Sequence, residues 1–171
     1  MTMEEIPEKA LHPPLSIRRA VMGDLETLAS LLVRLKRLNS EFDPLLSVRT
    51  DAQEIAVRVI RTDIADPSAL VLSVEGSGDD AGKVIGIARG ALRERSFYSP
   101  VKEGVILDIY LMPAYRRSGC GAYLLRQTIE HLKQMGAGIV TAEFPSQNVI
   151  AVKFYAKHGF RPITSLHAKG V

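Results

Sequence analysis

The sequence predicts one α/β domain: a mixed central sheet with helices on both faces, in the order β-αα-βββ-α-β-α-β. Three observations carry that expectation. The 171 residues suit a single domain with a sizeable core. Apolar residues make up 46% and charged residues 24%, the balance of a globular chain. Short apolar runs of strand length alternate with stretches whose leucines recur at helical spacing, and no repeat or linker divides them.

Residues 15–21 alternate apolar and polar side chains, as a first strand does. Asp24 is placed to cap a helix whose apolar stripe is Leu25, Leu28, Leu31, Leu32, Leu35 and Leu38. The other face of that helix carries Arg34, Lys36 and Arg37, by default a solvated face, with a binding surface as the weaker reading. After a break at residues 42–45, Thr50-Asp-Ala-Gln53 reads as a capping box opening a second helix through Ile55, Val59 and Ile60. Asp66-Pro67 ends it, because a residue before proline is pushed out of helical geometry. Residues 69–74 and 83–91 are strands joined across 76–82, a hairpin with a loop long for a tight turn. Residues 93–104 are polar and read as an irregular connection. Residues 105–112 form a strongly apolar strand interrupted by Asp108, and Pro113 stops it. A helix over 119–135 follows, with Leu124, Leu125, Ile129 and Leu132 on one face and Gly136 and Gly138 at its end. A short strand at 139–144, a helix at 146–158 ended by Gly159, and a last strand at 160–166 complete the order.

Charge and cysteine usage bound the function. Lys plus Arg exceed Asp plus Glu by 22 to 19, a net charge of +3, too small a surplus to argue for nucleic acid. The single Cys120 allows no intramolecular disulfide, which suits a reducing compartment. No run of eighteen apolar residues suggests a membrane span. Residues 1–14 hold acids before Lys9 and no apolar core, so they read as a loosely ordered arm rather than a signal peptide, and the expected location is cytoplasmic. The four histidines show no metal spacing.

The informative segment runs from Leu107 to Leu125, where a strand passes through a turn into a helix that opens on Gly119 and Gly121. The first N–H groups of a helix lack intrahelical partners and sit at the positive end of its dipole, so phosphate oxygens settle there. Glycine keeps side chains off the amides and tolerates positive φ. A lone Gly-x-Gly is weak evidence. The segment is not a dinucleotide fingerprint, since the third glycine is missing, nor a Walker loop, since no Gly-Lys-Ser/Thr follows.

The whole spacing is more specific. Pro113-x-Tyr115-Arg116-x-x-Gly119-x-Gly121-x-x-Leu124-Leu125 resembles the coenzyme A loop of the GNAT superfamily of N-acetyltransferases. Asn148-x-x-Ala151-x-x-Phe154-Tyr155-x-Lys157-x-Gly159-Phe160 is similar to that family's later motif. Two motifs in order, about 30 residues apart, make chance agreement improbable. The likeness covers residues 105–160 and implies a GNAT-like domain over residues 15–171, with acetyl-CoA as cosubstrate. Only eleven residues follow Phe160, whereas domains of this family usually finish with two strands. The final strand is therefore absent, very short or supplied by another subunit, which admits a homodimer.

The resemblance also implies roles. Arg116, Arg117, Ser118, Gly119, Cys120 and Gly121 would hold the coenzyme phosphates. Freed backbone groups of Ile109 and Leu111 would bond the pantetheine arm and the acetyl oxygen, and Asn148 would bond the coenzyme unless it merely caps a helix. Tyr155 is the expected general acid for the departing thiolate, against a reading as a packed aromatic. Glu143, twelve residues before Tyr155, resembles the glutamate of N-terminal and ribosomal-protein acetyltransferases and is the first candidate base. Asp108 is the second, or else pairs structurally, for instance with Arg89, because a carboxylate in an apolar strand is costly alone. A water chain in place of one base is equally compatible with the family. Cys120 reads as a small hydrophobe. Phe97 and Tyr98 either line an acceptor pocket or anchor a surface loop. The leading function is acetyl transfer to a primary amine: a protein N-terminus, a lysine or a small metabolite. A coenzyme A-binding sensor without turnover is the alternative, and a nucleic-acid-binding module ranks last.

Overall fold

In the computed structural model, which describes residues 15–116 and 119–171, five strands form one sheet in the order β1-β2-β3-β4-β5. They are β1 (Leu15–Arg19), β2 (Ala69–Gly76), β3 (Val84–Glu94), β4 (Lys102–Leu111) and β5 (Ile139–Ala142). The first four pair antiparallel, and β5 runs parallel to β4. Four helices cover the sheet: α1 (Leu25–Ser40), α2 (Ala52–Ala65), α3 (Cys120–Gln134) and α4 (Val149–Lys157). The expected arm at residues 1–14 lies outside the described residues.

Side-chain alternation along β2 separates two cores. Leu70, Leu72 and Val74 pack with Leu124, Leu125 and Leu132 of α3 and with Tyr155 of α4. Val71, with Ile87 of β3 and Tyr110 of β4, packs against Leu28, Leu31 and Leu32 of α1 and Ile60 of α2. The leucine stripe of α1 is buried at Leu25, Leu28, Leu31 and Leu32, whereas Leu38 at its far end is exposed. The sheet thus has an α3/α4 face and an α1/α2 face.

Several local expectations give way to tertiary partners. Asp24 is not a side-chain cap of α1. Its carboxylate takes two hydrogen bonds from the Arg18 guanidinium (2.7 and 2.9 Å), one from the Val21 amide (2.9 Å) and one from Ser73 Oγ (3.0 Å). The expected capping box at Thr50 does not form; Asp51 precedes α2 and bonds Arg49 instead. The irregular connection expected at 93–104 is shorter than that, residues 95–101, since β3 reaches Glu94 and β4 already begins at Lys102. No strand forms at 160–166. Phe160 packs on Tyr155, and Pro162 offers no N–H for a ladder along the short β5. The sheet has five strands rather than six.

The Asp24 cluster makes a pH prediction. Its hydrogen bonds from Arg18, opposed by burial, hold the carboxyl at about 2, below the usual aspartate value of 3.8. A depressed folded pKa contributes stability that is present above about pH 4 and is lost as pH falls toward 2. Asp24→Asn should therefore lower stability at neutral pH and flatten the acid limb of a denaturation series between pH 5 and pH 2. An unchanged acid limb would contradict the assignment.

Candidate active site

β3 and β4 slip register between Arg89 and Gly90: Arg89 faces Asp108, while Gly90 faces Ile106. Leu107 is the extra residue of a β-bulge, which switches the strand's phase. Ile106 packs on the α3/α4 face, yet Asp108 and Tyr110 turn to the α1/α2 face. Beyond the bulge, β4 also leaves its parallel neighbour. The β4–β5 register ends at Ile106 and Ala142, closed by the Glu143 amide donating to the Ile106 carbonyl at 3.0 Å. The Met112 amide donates to Ile85 of β3 at 2.9 Å. Alternation then directs the N–H groups of Ile109 and Leu111 to the opposite edge, into the gap past the end of β5.

At the end of β4 the loop is held from two sides. Arg116 Nε donates to the Leu111 carbonyl at 2.8 Å, and its guanidinium lies 5.1 Å from the Tyr110 ring centre. The Tyr115 hydroxyl donates to Asp80 in the β2–β3 turn, and Lys83 bonds the same carboxylate. Arg117 and Ser118 lie outside the described residues. Gly119 has φ +77°, left-handed backbone that glycine adopts without strain. The first intrahelical bond of α3 is Tyr123 N–H to Gly119 O at 3.0 Å, which leaves the amides of Cys120, Gly121 and Ala122 without helical acceptors. A Cβ on Gly121 would approach only Phe154, at 3.6 Å. These amides, the dipole behind them and the bare Gly121 suit a pyrophosphate. Cys120, the first residue of α3, is buried in the core, and burial pushes its thiol pKa up.

Tyr155 borders the same gap. Its ring stacks on Phe144 (4.7 Å between centroids, 5° between planes) and meets Phe154 and Phe160 edge-on. Burial, and then the negative charge of Asp108, raise its pKa, so the phenol keeps its proton well above neutral pH. The residue is only 7% exposed. Among the described residues the Tyr155 hydroxyl has no hydrogen-bond partner, and none of their fully buried side-chain polar atoms is left unpaired.

The two acids are placed very differently. Asp108 is buried, its carboxylate taking one 2.5 Å bond from Lys36 Nζ and another from Arg89 Nη1, while Arg89 also bonds Asp63 of α2. Glu143 stands at the last rung of the β4–β5 ladder. Ala142 packs toward α3, so alternation puts Glu143 on the face of α1 and α2. Its carboxylate is exposed and bonds Arg93 at 2.5 Å. Asn148 caps α4, its side-chain oxygen accepting from the Ala151 amide at 3.1 Å. Phe97 and Tyr98 are exposed in the β3–β4 loop, at the end of β4 away from the glycine loop. Lys36 and Phe144 were not singled out from sequence, and both adjoin the site. Among the described residues no three His, Cys, Asp or Glu side chains are grouped to hold a metal ion, and no helix is long and apolar enough to cross a membrane.

A strand splayed at a bulge, a glycine-opened helix and a buried tyrosine beside them make up a candidate acyl-CoA transferase site. The model of the acetyltransferase (GNAT) family matches residues 34–160, and the chain belongs to that family. It is accordingly an acetyltransferase that uses acetyl-CoA as cosubstrate. Solved structures share the fold. A predicted acetyltransferase with acetyl-CoA from Clostridium acetobutylicum superposes with TM-score 0.72 at 16% identity, covering 91% of this chain and 96% of that one. An aminoglycoside antibiotic 6'-N-acetyltransferase from Acinetobacter haemolyticus gives 0.69 at 20%, covering 91% and 97%. A glucosamine-6-phosphate N-acetyltransferase from Arabidopsis thaliana gives 0.65 at 18%, also covering 91% and 97%. No curated protein matches the chain.

Proposed function

We propose that this chain acetylates a primary amine that enters the β4–β5 gap from the α1/α2 face, while the coenzyme lies along the α3/α4 face. The observation that carries this reading is the splay of β4 past Ile106, which leaves a passage between the two faces with Tyr155 on one side and Glu143 on the other. In this arrangement the amides of residues 120–122, with the charge of the loop that carries Arg117 and Ser118, hold the phosphates, while the Arg116 guanidinium stays on the Leu111 carbonyl and the Tyr110 ring and braces that loop. The Ile109 and Leu111 amides hold the arm and stabilise the oxyanion that develops as the amine attacks the thioester. Tyr155 gives its proton to the departing thiolate.

Glu143 is the better base. Both oxygens of Asp108 are occupied by cations inside the protein, so that carboxylate holds Lys36 and Arg89 in place. Glu143 is open to an incoming ammonium and needs only to release Arg93. Glu143→Gln should lose most activity below the pKa of the acceptor amine and recover part of it as pH rises and more amine arrives neutral. An exposed ion pair contributes only about 0–1 kcal/mol, so its stability should hardly move. Asp108→Asn should instead leave the pH profile unshifted and lose stability, because breaking a buried pair costs about 3–5 kcal/mol, less where one partner is half in water as Lys36 is. A Glu143→Gln enzyme with the wild-type pH profile would remove the base assignment.

Two acceptor classes have support. The spacing of Glu143 and Tyr155 favours a protein amino group, by likeness to enzymes that modify N-termini. Similarity to structures described as acetylating aminoglycosides and glucosamine 6-phosphate favours a small amine. A panel of peptides, polyamines, amino sugars and amino acids with acetyl-CoA, followed by free thiol release, decides between them. Release with no amine of either class would overturn the proposal.

A further inference from the structure

We propose that the α1/α2 face carries an anion subsite, built on Arg34 and Arg37, that selects a small primary amine bearing a phosphate or carboxylate. This rests on the reading of that face as the acceptor's side. A pocket of about 270 Å³ opens there, lined by Arg34, Arg37 and Leu38 of α1, Glu41 just past its end, Tyr110 of β4, Pro113 and Arg116. Tyr110 lies one residue past Ile109, whose amide faces the gap, and packs on the α1/α2 face as Asp108 does. The pocket therefore borders the passage through which the amine is to arrive.

Its charge is unbalanced. Three guanidiniums and one carboxylate line it. Of the basic residues on this part of α1, Lys36 is neutralised by Asp108. Among the described residues, neither Arg34 nor Arg37 has a carboxylate within ion-pairing distance. Arg34 and Arg37 are three apart, so both project from one side of the helix. Arg116 is already committed to the Leu111 carbonyl and the Tyr110 ring, which leaves the two α1 arginines as the free donors. A guanidinium matches two oxygens of a phosphate or carboxylate at once. The exposed Leu38 and the Tyr110 ring give such a ligand an apolar wall. The volume suits a small head group rather than a length of peptide.

The test has two arms, both in the presence of saturating acetyl-CoA, whose own binding is read first as a shift in Tm. A failed coenzyme site would show at that step and not in the later ones. In the first arm, inorganic phosphate is titrated into wild type and into the Arg34→Gln/Arg37→Gln protein. Phosphate should raise the Tm of wild type by mass action and leave the double variant unmoved. In the second, matched pairs are compared by thiol release: an amino sugar with its phosphate, and an amino acid with its amide. The anionic member should have kcat/KM about tenfold or more higher in wild type, and the double variant should lose that preference. The pair that shows the effect tells phosphate from carboxylate. An equal phosphate response in both proteins, or a higher KM for acetyl-CoA in the variant, would overturn the proposal. The second result would assign these arginines to the coenzyme's phosphates instead.

Discussion

Tyr155→Phe is expected to lower kcat by about 10²–10⁴ while leaving the affinity for acetyl-CoA nearly unchanged. The magnitude follows from what the hydroxyl is asked to do. It is needed only when the thiolate leaves, so its loss falls on the transition state and not on the ground-state complex. Phenylalanine keeps the stack on Phe144 and the edge contacts with Phe154 and Phe160. The hydroxyl has no partner among the described residues, so its removal breaks no bond to them and the Tm should hold. Burial and Asp108 keep the phenol protonated, so wild-type turnover should not fall near neutral pH for want of this proton. Steady-state thiol release at saturating acceptor reads the effect, and an unchanged kcat would return Tyr155 to the role of a packed aromatic.

Gly121→Glu should abolish acetyl-CoA binding, with an affinity loss of at least about 100-fold. The variant is expected to fold. The Cβ meets only Phe154 at ordinary contact distance, glutamate is a better helix former than glycine, and an acid in the first turn of α3 favours the dipole. The same carboxylate lies where the phosphates are to sit and repels them. Gly121→Ala, which adds the Cβ without the charge, should bind more weakly than wild type and more tightly than the glutamate variant. Calorimetry reads all three. Unchanged affinity in Gly121→Glu would mean that the phosphates lie elsewhere.

The parts of the site that were legible in sequence are those coded locally. The residues from Leu107 to Leu125 make a strand end, a turn and a helix start within a short span, so their spacing carries a family resemblance and, through it, a candidate phosphate cradle. The aromatic pair Phe154-Tyr155 was legible for the same reason. What remained hidden depends on partners far along the chain. Lys36 reads as part of a solvated face because its carboxylate is 72 residues away. The side on which Asp108 points depends on a bulge at Leu107 that is defined only by register against β3. Asp24 reads as a helix cap because the sequence does not show Arg18 and Ser73 meeting it across the sheet. The expected strand at 160–166 has a suitable apolar pattern, but Pro162 interrupts the ladder it would need along the short edge strand β5, and a pattern of side chains does not supply a ladder.

The central claim is that acetyl-CoA lies against the freed edge of β4 and the first turn of α3. Hydrogen–deuterium exchange with and without acetyl-CoA tests it most directly, because the groups invoked are backbone amides. Slower exchange on adding the coenzyme is predicted in peptides covering residues 109–111 and 119–122, with β1 and β2 unaffected. Exchange unchanged in both segments at saturating acetyl-CoA, or protection confined to another part of the chain, would contradict the account.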